Sequence, residues 1–133
     1  MGTTDKVTSL DPAGSYDNGS FFLMNQVYPF LLNTAPGATD MAPQPDIATA
    51  ASFTSDKEYT VKLKPGLKFA NGHALTSSDV KFSFDRMVAI NDPNGPASLL
   101  GNLASTTTTD DTTVVFKLKN ANDVVFPQLL TSP

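Results

Sequence analysis

A strand, two tight turns and a capped apolar helix follow one another in residues 58–90, and this order constrains the fold more than any other part of the sequence. Tyr59, Val61 and Leu63 alternate with polar residues, which predicts a half-buried strand. Pro65-Gly66 and Asn71-Gly72 are turn dipeptides. Thr76-Ser77-Ser78-Asp79 has the spacing of a capping box, with Asp in place of Glu. The segment therefore predicts a strand that turns back into a helix over residues 77–90, with an apolar stripe of Val80, Phe82, Phe84, Met87, Val88 and Ile90.

The flanking sequence predicts further elements of both kinds. Residues 7–10 are predicted as a strand before the turn at Asp11-Pro12, and a helix follows that is capped by Asp17 or Asn18. Pro29 should kink or end that helix near residues 26–28. Later segments are predicted as a surface loop at 33–46, strands at 51–54, 103–109 and 113–118, a loop at 91–96, a helical turn at 97–102 and a capped helix at 122–130. The fold class expected is α+β, with helices packed on a mainly antiparallel sheet.

Composition excludes several classes of function. The formal charge is −4, the pI is near 4.6, and Lys and Arg occur singly, so nucleic acid is not expected as a partner. The absence of cysteine excludes a disulfide framework, a thiolate zinc site and a cysteine nucleophile. No apolar run approaches the roughly 18 residues that span a bilayer. Residues 1–6 lack the pattern of a signal peptide and are interpreted as an extension at the mature amino terminus.

The same order of elements resembles the start of family 5 extracellular solute-binding proteins, which serve peptide and nickel importers. Its most specific part runs from Tyr59 through Lys64-Pro65-Gly66 and Asn71-Gly72 to Asp79-Val80 and Arg86. Leu10-Asp11-Pro12 and Pro45-Asp46-Ile47-Ala48 match as well, but each is weak alone. The resemblance covers residues 7–133 and implies that residues 1–133 are one partial domain. That domain would be the N-terminal portion of the first lobe of a two-lobed, periplasmic-binding-protein-like fold (type II, cluster C).

The resemblance implies a ligand site made by two segments. In the family, two lobes close over an extended ligand, and the segment after Leu-Asp-Pro contributes contacts, partly through its backbone. The corresponding residues here are Tyr16, Asp17, Asn18, Gly19 and Ser20. The loop after the long helix contributes the second set, which is Asn94, Gly95 and Pro96. The alternative is that the first segment has only a structural role, as a turn that leads into a helix capped by Asn18. Main-chain pairing with a peptide would make ligand side-chain identity matter little.

The implied function is capture of a dipeptide or oligopeptide outside the cytoplasm and delivery to the membrane permease of an ABC importer, without catalysis and without a cofactor or metal. The protein would be periplasmic or a cell-surface lipoprotein. Alternatives within the family are a nickel chelate or an oligosaccharide as ligand, or a lobe fragment with no binding of its own. The fragment alone should bind weakly, and its unpaired strand edges favour self-association.

Single residues that could carry other chemistry have simpler structural interpretations. His73 is the only histidine, so neither a multi-histidine metal site nor a Ser-His-Asp hydrolase triad built on a second histidine is available. Asp40 and Asp110-Asp111 lack the spacing of a calcium loop and are interpreted as turn residues. Asp79 and Arg86 are expected to have solvated or structural roles on one helix. Phe69, Val80, Phe82 and Phe84 are expected to pack in the core.

Overall fold

The computed structural model describes residues 5–132. Its elements, in chain order, are α1 (Asn18–Val27), β1 (Leu32–Thr34), β2 (Pro43–Pro45), β3 (Ala48–Ser55), β4 (Glu58–Leu63), α2 (Ser77–Ile90), a 3₁₀ helix (Pro96–Leu100), β5 (Leu103–Asp110), β6 (Thr113–Leu118) and α3 (Phe126–Leu129). The mixture of helices with antiparallel strands is the fold class that the sequence predicts.

Four strands form an antiparallel sheet in the order β3-β4-β6-β5. The two hairpins, β3–β4 and β5–β6, meet where Tyr59 pairs with Phe116 and Val61 pairs with Val114. These four side chains are buried, because alternate residues of a strand share one face and this face carries the core. The opposite face carries exposed polar pairs such as Glu58 with Lys117.

Helix α2 covers the buried face of the sheet, on β5 and β6. It begins and ends where the sequence predicts, and Asp79 at its third position accepts hydrogen bonds from the amide (2.8 Å) and hydroxyl (3.0 Å) of Thr76. Val80, Phe84 and Met87 recur at helical spacing and pack on the core, with the Phe84 ring 4.7 Å from that of Phe116. Asn91 ends the helix in the left-handed conformation, at φ 46°.

Three other members of the predicted α2 stripe do not pack on the sheet. Phe82 is 65% exposed, and Val88 and Ile90 are about half exposed. Phe69, also predicted as core, is 42% exposed. The core assignments of Phe69 and Phe82 are therefore wrong for this structure. The reason is helical geometry: Phe82 lies only two residues from Val80 and from Phe84, so it points away from the face that those two bury.

The predicted strand at residues 7–10 is wrong. No regular element is present there among the described residues, because no strand lies beside this segment. Instead the amides of Thr8 and Ser9 donate to the hydroxyl of Ser20, at 3.0 and 3.3 Å. The predicted turn follows at residues 12–14, where the Gly14 amide donates to the Asp11 carbonyl (3.0 Å).

The predicted cap and end of α1 are confirmed: Asp17, one of the two expected caps, precedes the helix, and it ends at Val27, before Pro29, so Leu31 and Leu32 are buried outside it. Two later segments differ from the prediction. The loop predicted at 33–46 contains the paired strands β1 and β2. The helix predicted at 122–130 is shorter, and only α3 is helical there; the Asp123 carboxylate accepts from the amides of Val125 and Phe126 at its start.

Candidate functional site

The segment Tyr16–Ser20 forms the start of α1, and most of its polar groups hold the amino-terminal segment in place. The Asp17 carboxylate accepts from the Ser20 amide (2.9 Å) and from the Thr8 hydroxyl. The bond from Thr8, with help from Ser20, lowers the pKa of Asp17. Ser20 is buried and bonded to Thr8 and Ser9. The side chains left open to solvent in this segment are Tyr16, 56% exposed, and Asn18.

Gly19 allows close backbone contact within the same segment. A Cβ at Gly19 would lie 2.3 Å from the carbonyl oxygen of Lys6, so no larger residue fits without moving one of the two chains. The sequence marks Gly19 as a ligand residue by family resemblance. In the structure, its immediate neighbour is the chain's own amino-terminal segment.

The second predicted segment, Asn94–Pro96, lies in the loop between α2 and the 3₁₀ helix. The Asp92 carboxylate accepts from the Asn94 amide (2.8 Å), and the Asp92 carbonyl accepts from the Gly95 amide (3.0 Å). The Asn94 side chain is exposed, and Pro96 is the first residue of the 3₁₀ helix. The loop is therefore a tight, internally bonded turn with one side chain open to solvent.

The structure brings the two predicted segments together. A Cβ at Gly95 would lie 2.3 Å from the carbonyl oxygen of Ala13, so the loop rests directly on the turn that precedes Tyr16. That turn is held by Asp11, whose carboxylate accepts from the Ala13 amide (3.0 Å). The second segment therefore lies against the turn that leads into the first, although the two are about 75 residues apart in sequence.

Arg86 of α2 binds the same carboxylate, a contact that sequence reasoning missed. Its two terminal nitrogens donate to the two oxygens of Asp11, at 2.8 and 2.6 Å. The hydrogen bond from Arg86 lowers the pKa of Asp11, and the bond to Asp11 raises the pKa of Arg86. The sequence predicts solvated or structural roles on one helix for Asp79 and Arg86, and in the structure Asp79 caps α2. Nothing local in the sequence joins residues 11 and 86.

A cleft of about 740 Å³ opens beside these segments. Its size falls in the range of small-molecule sites, about 300–1,000 Å³. Two of the predicted site residues, Tyr16 and Pro96, line it, whereas the other six do not. Its wall is largely apolar, and it receives the exposed rings of Phe69 and Phe82. These two side chains, which the sequence assigns to the core, therefore line an open surface instead.

The cleft and the two segments beside it offer hydrogen-bonding groups and apolar surface for binding.

The residues considered for other chemistry lie in turns. His73 is exposed at the Asn71-Gly72 turn, where its amide donates to the Asn71 side chain (3.1 Å). Asp40 and Asp110 accept from backbone amides two residues ahead, as turn residues do. Over residues 5–132, no group of three or more His, Asp or Glu is placed to hold a metal ion. No helix in this range is long and apolar enough to cross a membrane.

Comparison with known structures supports the fold. The chain superposes on OppA of Burkholderia pseudomallei with a TM-score of 0.82 at 18% identity, covering 95% of this chain and 27% of that one. It superposes on the clavulanic acid biosynthesis oligopeptide binding protein 2 with a TM-score of 0.82 at 28% identity, covering 96% of this chain and 27% of that one. These are periplasmic-binding-protein folds of type II, as the sequence predicts.

Sequence comparison identifies the family. The chain is 33% identical over 115 residues to the probable D,D-dipeptide-binding periplasmic protein DdpA of Escherichia coli K12, which is 83% of this chain and 22% of that relative. The chain therefore spans about a quarter of the length of its relatives. Residues 42–133, more than half of the chain, match the family described as "Bacterial extracellular solute-binding proteins, family 5 Middle". The chain belongs to the family 5 bacterial extracellular solute-binding proteins.

Proposed function

We propose that this chain is part of an ABC-importer binding protein that captures a dipeptide or oligopeptide outside the cytoplasm and delivers it to a membrane permease. The observation that carries the proposal is the contact of Gly95 with Ala13, which sets the predicted Asn94–Pro96 segment against the turn that leads into the predicted Tyr16–Ser20 segment. Similar proteins are named for binding a D,D-dipeptide and oligopeptides. On this proposal the protein does no catalysis, and the ligand leaves unchanged.

The ligand contacts fall on the groups of the two segments that internal bonds leave open. Tyr16, Asn18 and Asn94 have exposed side chains, whereas Asp17 and Ser20 are engaged with the amino-terminal segment. An extended peptide needs main-chain partners and only loosely fitting pockets. We therefore assign ligand contact to Tyr16, Asn18, Asn94 and Pro96. Asp17, Gly19, Ser20 and Gly95 contribute to the site by fixing its backbone.

Residues 1–133 form, on the same proposal, the N-terminal portion of the first lobe of a longer protein. Two observations support this: the relatives are about four times longer, and the cleft exposes apolar side chains such as Phe82 and Leu99. Apolar surface of this kind is normally covered in a finished fold. The longer protein would be periplasmic or a cell-surface lipoprotein, with a second lobe closing over the ligand.

A thermal-shift screen tests the function. The longer protein and the 133-residue chain are each heated with di- to octapeptides, nickel chelates and oligosaccharides. A peptide at about 100 times its Kd should stabilise the longer protein by roughly 2.7 kcal/mol and the short chain far less, because the short chain lacks the opposing lobe. If only nickel chelates or only oligosaccharides stabilise the protein, that class of solute, and not peptide, is the ligand. Turnover of any ligand would contradict the non-catalytic role.

Substitutions at the open side chains test the site. Asn18→Ala and Asn94→Ala should each weaken peptide binding by the longer protein about fivefold, roughly 1 kcal/mol, without changing the Tm of the unliganded protein. Val27→Ala is the control, because Val27 lies on the same helix as Asn18 and is 69% exposed. Equal affinities for all three variants and the wild type would exclude these segments as the ligand site.

The exposed cleft gives a separate test of the lobe proposal. The isolated chain should self-associate at high concentration, and Phe82→Glu should reduce this because it places a charge in the apolar wall. Sedimentation velocity over a concentration series measures the effect. Lys81→Glu, one residue away, is the control for added negative charge. A chain that stays monomeric at all concentrations would contradict the proposal that this apolar surface is buried in a longer protein.

A further inference from the structure

The amino-terminal segment is held by side chains rather than by secondary structure. Residues 5–11 belong to no helix or strand. Three of the side-chain contacts that hold this segment join it to helices or their ends: Ser20 accepts from the amides of Thr8 and Ser9, the Tyr28 hydroxyl donates to the Leu10 carbonyl (3.0 Å), and Arg86 binds Asp11. The first two contacts tie the segment to α1. The contact of Asp11 with Arg86 ties it to α2.

The Asp11 carboxylate performs two tasks at once. Its Oδ1 atom accepts from the Ala13 amide at 3.0 Å, which folds the turn, and from Arg86 at 2.8 Å, while Oδ2 accepts the second Arg86 nitrogen at 2.6 Å. Bidentate pairing of a guanidinium with a carboxylate fixes direction as well as distance. The turn is therefore oriented relative to α2, the helix whose end leads into the Asn94–Pro96 loop.

The same turn carries the contact with the Asn94–Pro96 segment. The carbonyl of Ala13 lies against Gly95, and Ala13 is buried. Rotation of the turn would move this carbonyl into or away from Gly95, because the space at Gly95 is already filled. The orientation of the turn therefore decides how Tyr16 and Asn94 are placed relative to each other.

We propose that Asp11 and Arg86 are positioning residues that set the relative placement of the two ligand-contacting segments. The inference rests on the proposed function for its effect on affinity, but its effect on geometry stands by itself. On this proposal Arg86 acts through Asp11, whose carboxylate accepts one hydrogen bond from each of its terminal nitrogens.

Local hydrogen exchange of the 133-residue chain tests the geometry. Arg86→Gln should speed exchange about tenfold at the amides of Ala13, Gly14 and Gly95, while β4 and β6 keep wild-type rates. Lys81→Gln is the matched control, since Lys81 lies on the same helix and pairs with Asp85 instead of the turn. A general destabilisation would raise exchange in the sheet as well. Either that result or unchanged exchange at the turn overturns the proposal.

Four further variants separate positioning from loss of folding. Arg86→Lys keeps the positive charge but cannot make the two parallel hydrogen bonds of a guanidinium. Exchange at these amides should therefore be faster than in the wild type and slower than in Arg86→Gln. The exchanged pair Asp11→Arg with Arg86→Asp should restore part of the protection that either single variant loses. Gly95→Ala should loosen the same amides by a different route, because its Cβ collides with Ala13, whereas Gly14→Ala, with its nearest atoms 3.9 Å away, should not. Full protection in Gly95→Ala would contradict the shared contact.

Affinity measurements in the longer protein complete the test. Arg86→Gln should weaken the binding of all peptides by a similar factor, about five- to tenfold, and Arg86→Lys should recover part of the lost affinity. Loss confined to ligands that carry a free carboxylate would show direct contact and overturn positioning. If the wild type binds no solute, the proposed function fails, and the exchange experiment alone still decides whether the pair orients the two segments.

Discussion

Thr106 carries a buried hydroxyl that has no hydrogen-bond partner among the described residues. It faces the α2 side of the sheet from β5, and it is 2% exposed. A buried hydroxyl without a partner loses its hydrogen bonds to water and gains none in return. The sequence gives no sign of this, because Thr106 stands in a run of four threonines of which the others are more exposed.

Thr106→Val should therefore raise the free energy of unfolding by about 1 kcal/mol, since valine has nearly the same shape and lacks the hydroxyl. Urea unfolding of the 133-residue chain measures the change. Thr107→Val, on the exposed face of the same strand, is the control and should stay within about 0.5 kcal/mol of wild type. Destabilisation by Thr106→Val would mean that the hydroxyl has a partner, such as bound water.

Asp110 stabilises the β5–β6 turn in its ionised form. Its carboxylate accepts from the Thr112 hydroxyl and the Thr112 amide, both at 2.8 Å, and these bonds lower its pKa to about 2 from an ordinary value of 3.8. A lowered pKa means that the folded state favours the carboxylate. The stabilisation is complete above the ordinary pKa and is lost as the pH falls toward 2.

Asp110→Asn should lower the Tm at pH 7, and the difference from wild type should shrink between about pH 4 and pH 2. Thermal unfolding at stepped pH measures it. Thr112→Val is the companion variant, since it removes the hydroxyl and should move the Asp110 pKa back toward its ordinary value in an NMR titration. A difference in Tm that does not change with pH would show that the turn depends on shape and not on charge.

Helix α2 is fixed at its amino terminus by two sets of contacts, one local and one distant. Asp79 closes the capping box on Thr76. Ser77 donates from its amide to the Asp111 carbonyl (2.8 Å) and from its hydroxyl to the Asp110 carbonyl (2.5 Å). The first set is predictable from a four-residue pattern. The second set joins the helix to the β5–β6 turn and depends on how the elements assemble.

Asp79→Ala should destabilise the chain by about 1 kcal/mol, because two amino-terminal hydrogen bonds and a first-turn negative charge are lost. Asp85→Ala is the matched control: it makes the same substitution on the same helix but removes only an exposed pair with Lys81, worth about 0.3–0.5 kcal/mol. Guanidinium unfolding compares the two. Equal losses would mean that the capping box adds nothing beyond charge.

The whole molecule is held by one core under the four-stranded sheet, and the carboxyl-terminal segment completes it. Phe126 is 1% exposed, and its ring lies 5.3 Å from that of Phe116 and 5.9 Å from that of Tyr59. The Leu32 amide donates to the Leu130 carbonyl (3.1 Å), so this segment also binds β1. Burial by these groups raises the pKa of Tyr59.

Phe126→Ala should lower the free energy of unfolding by about 3–5 kcal/mol, which is a large share of the stability of a domain this size. Val125→Ala, next to it and 58% exposed, should change the stability little. Urea unfolding followed by far-UV circular dichroism measures both. A small effect of Phe126→Ala would show that the carboxyl-terminal segment is not docked in solution and that the core closes without it.

Local features were predictable wherever near neighbours settle them. The capping box predicted the start of α2, and the alternation of Tyr59, Val61 and Leu63 predicted the buried face of β4. Predictions were wrong where a segment lacked the partner it needed. Residues 7–10 have the pattern of a strand but lie beside no strand, and Phe82 has the hydrophobicity of core but the wrong angular position on its helix.

The sequence by itself determined the hairpins, the turns, the capped helix and the family, because each depends on residues close together in the chain. Tertiary structure alone decided which groups of the predicted site remain open. It placed Gly95 on Ala13, and it paired Asp11 with Arg86 across 75 residues. Such contacts depend on how sheet, helices and amino-terminal segment pack, and no local pattern encodes them.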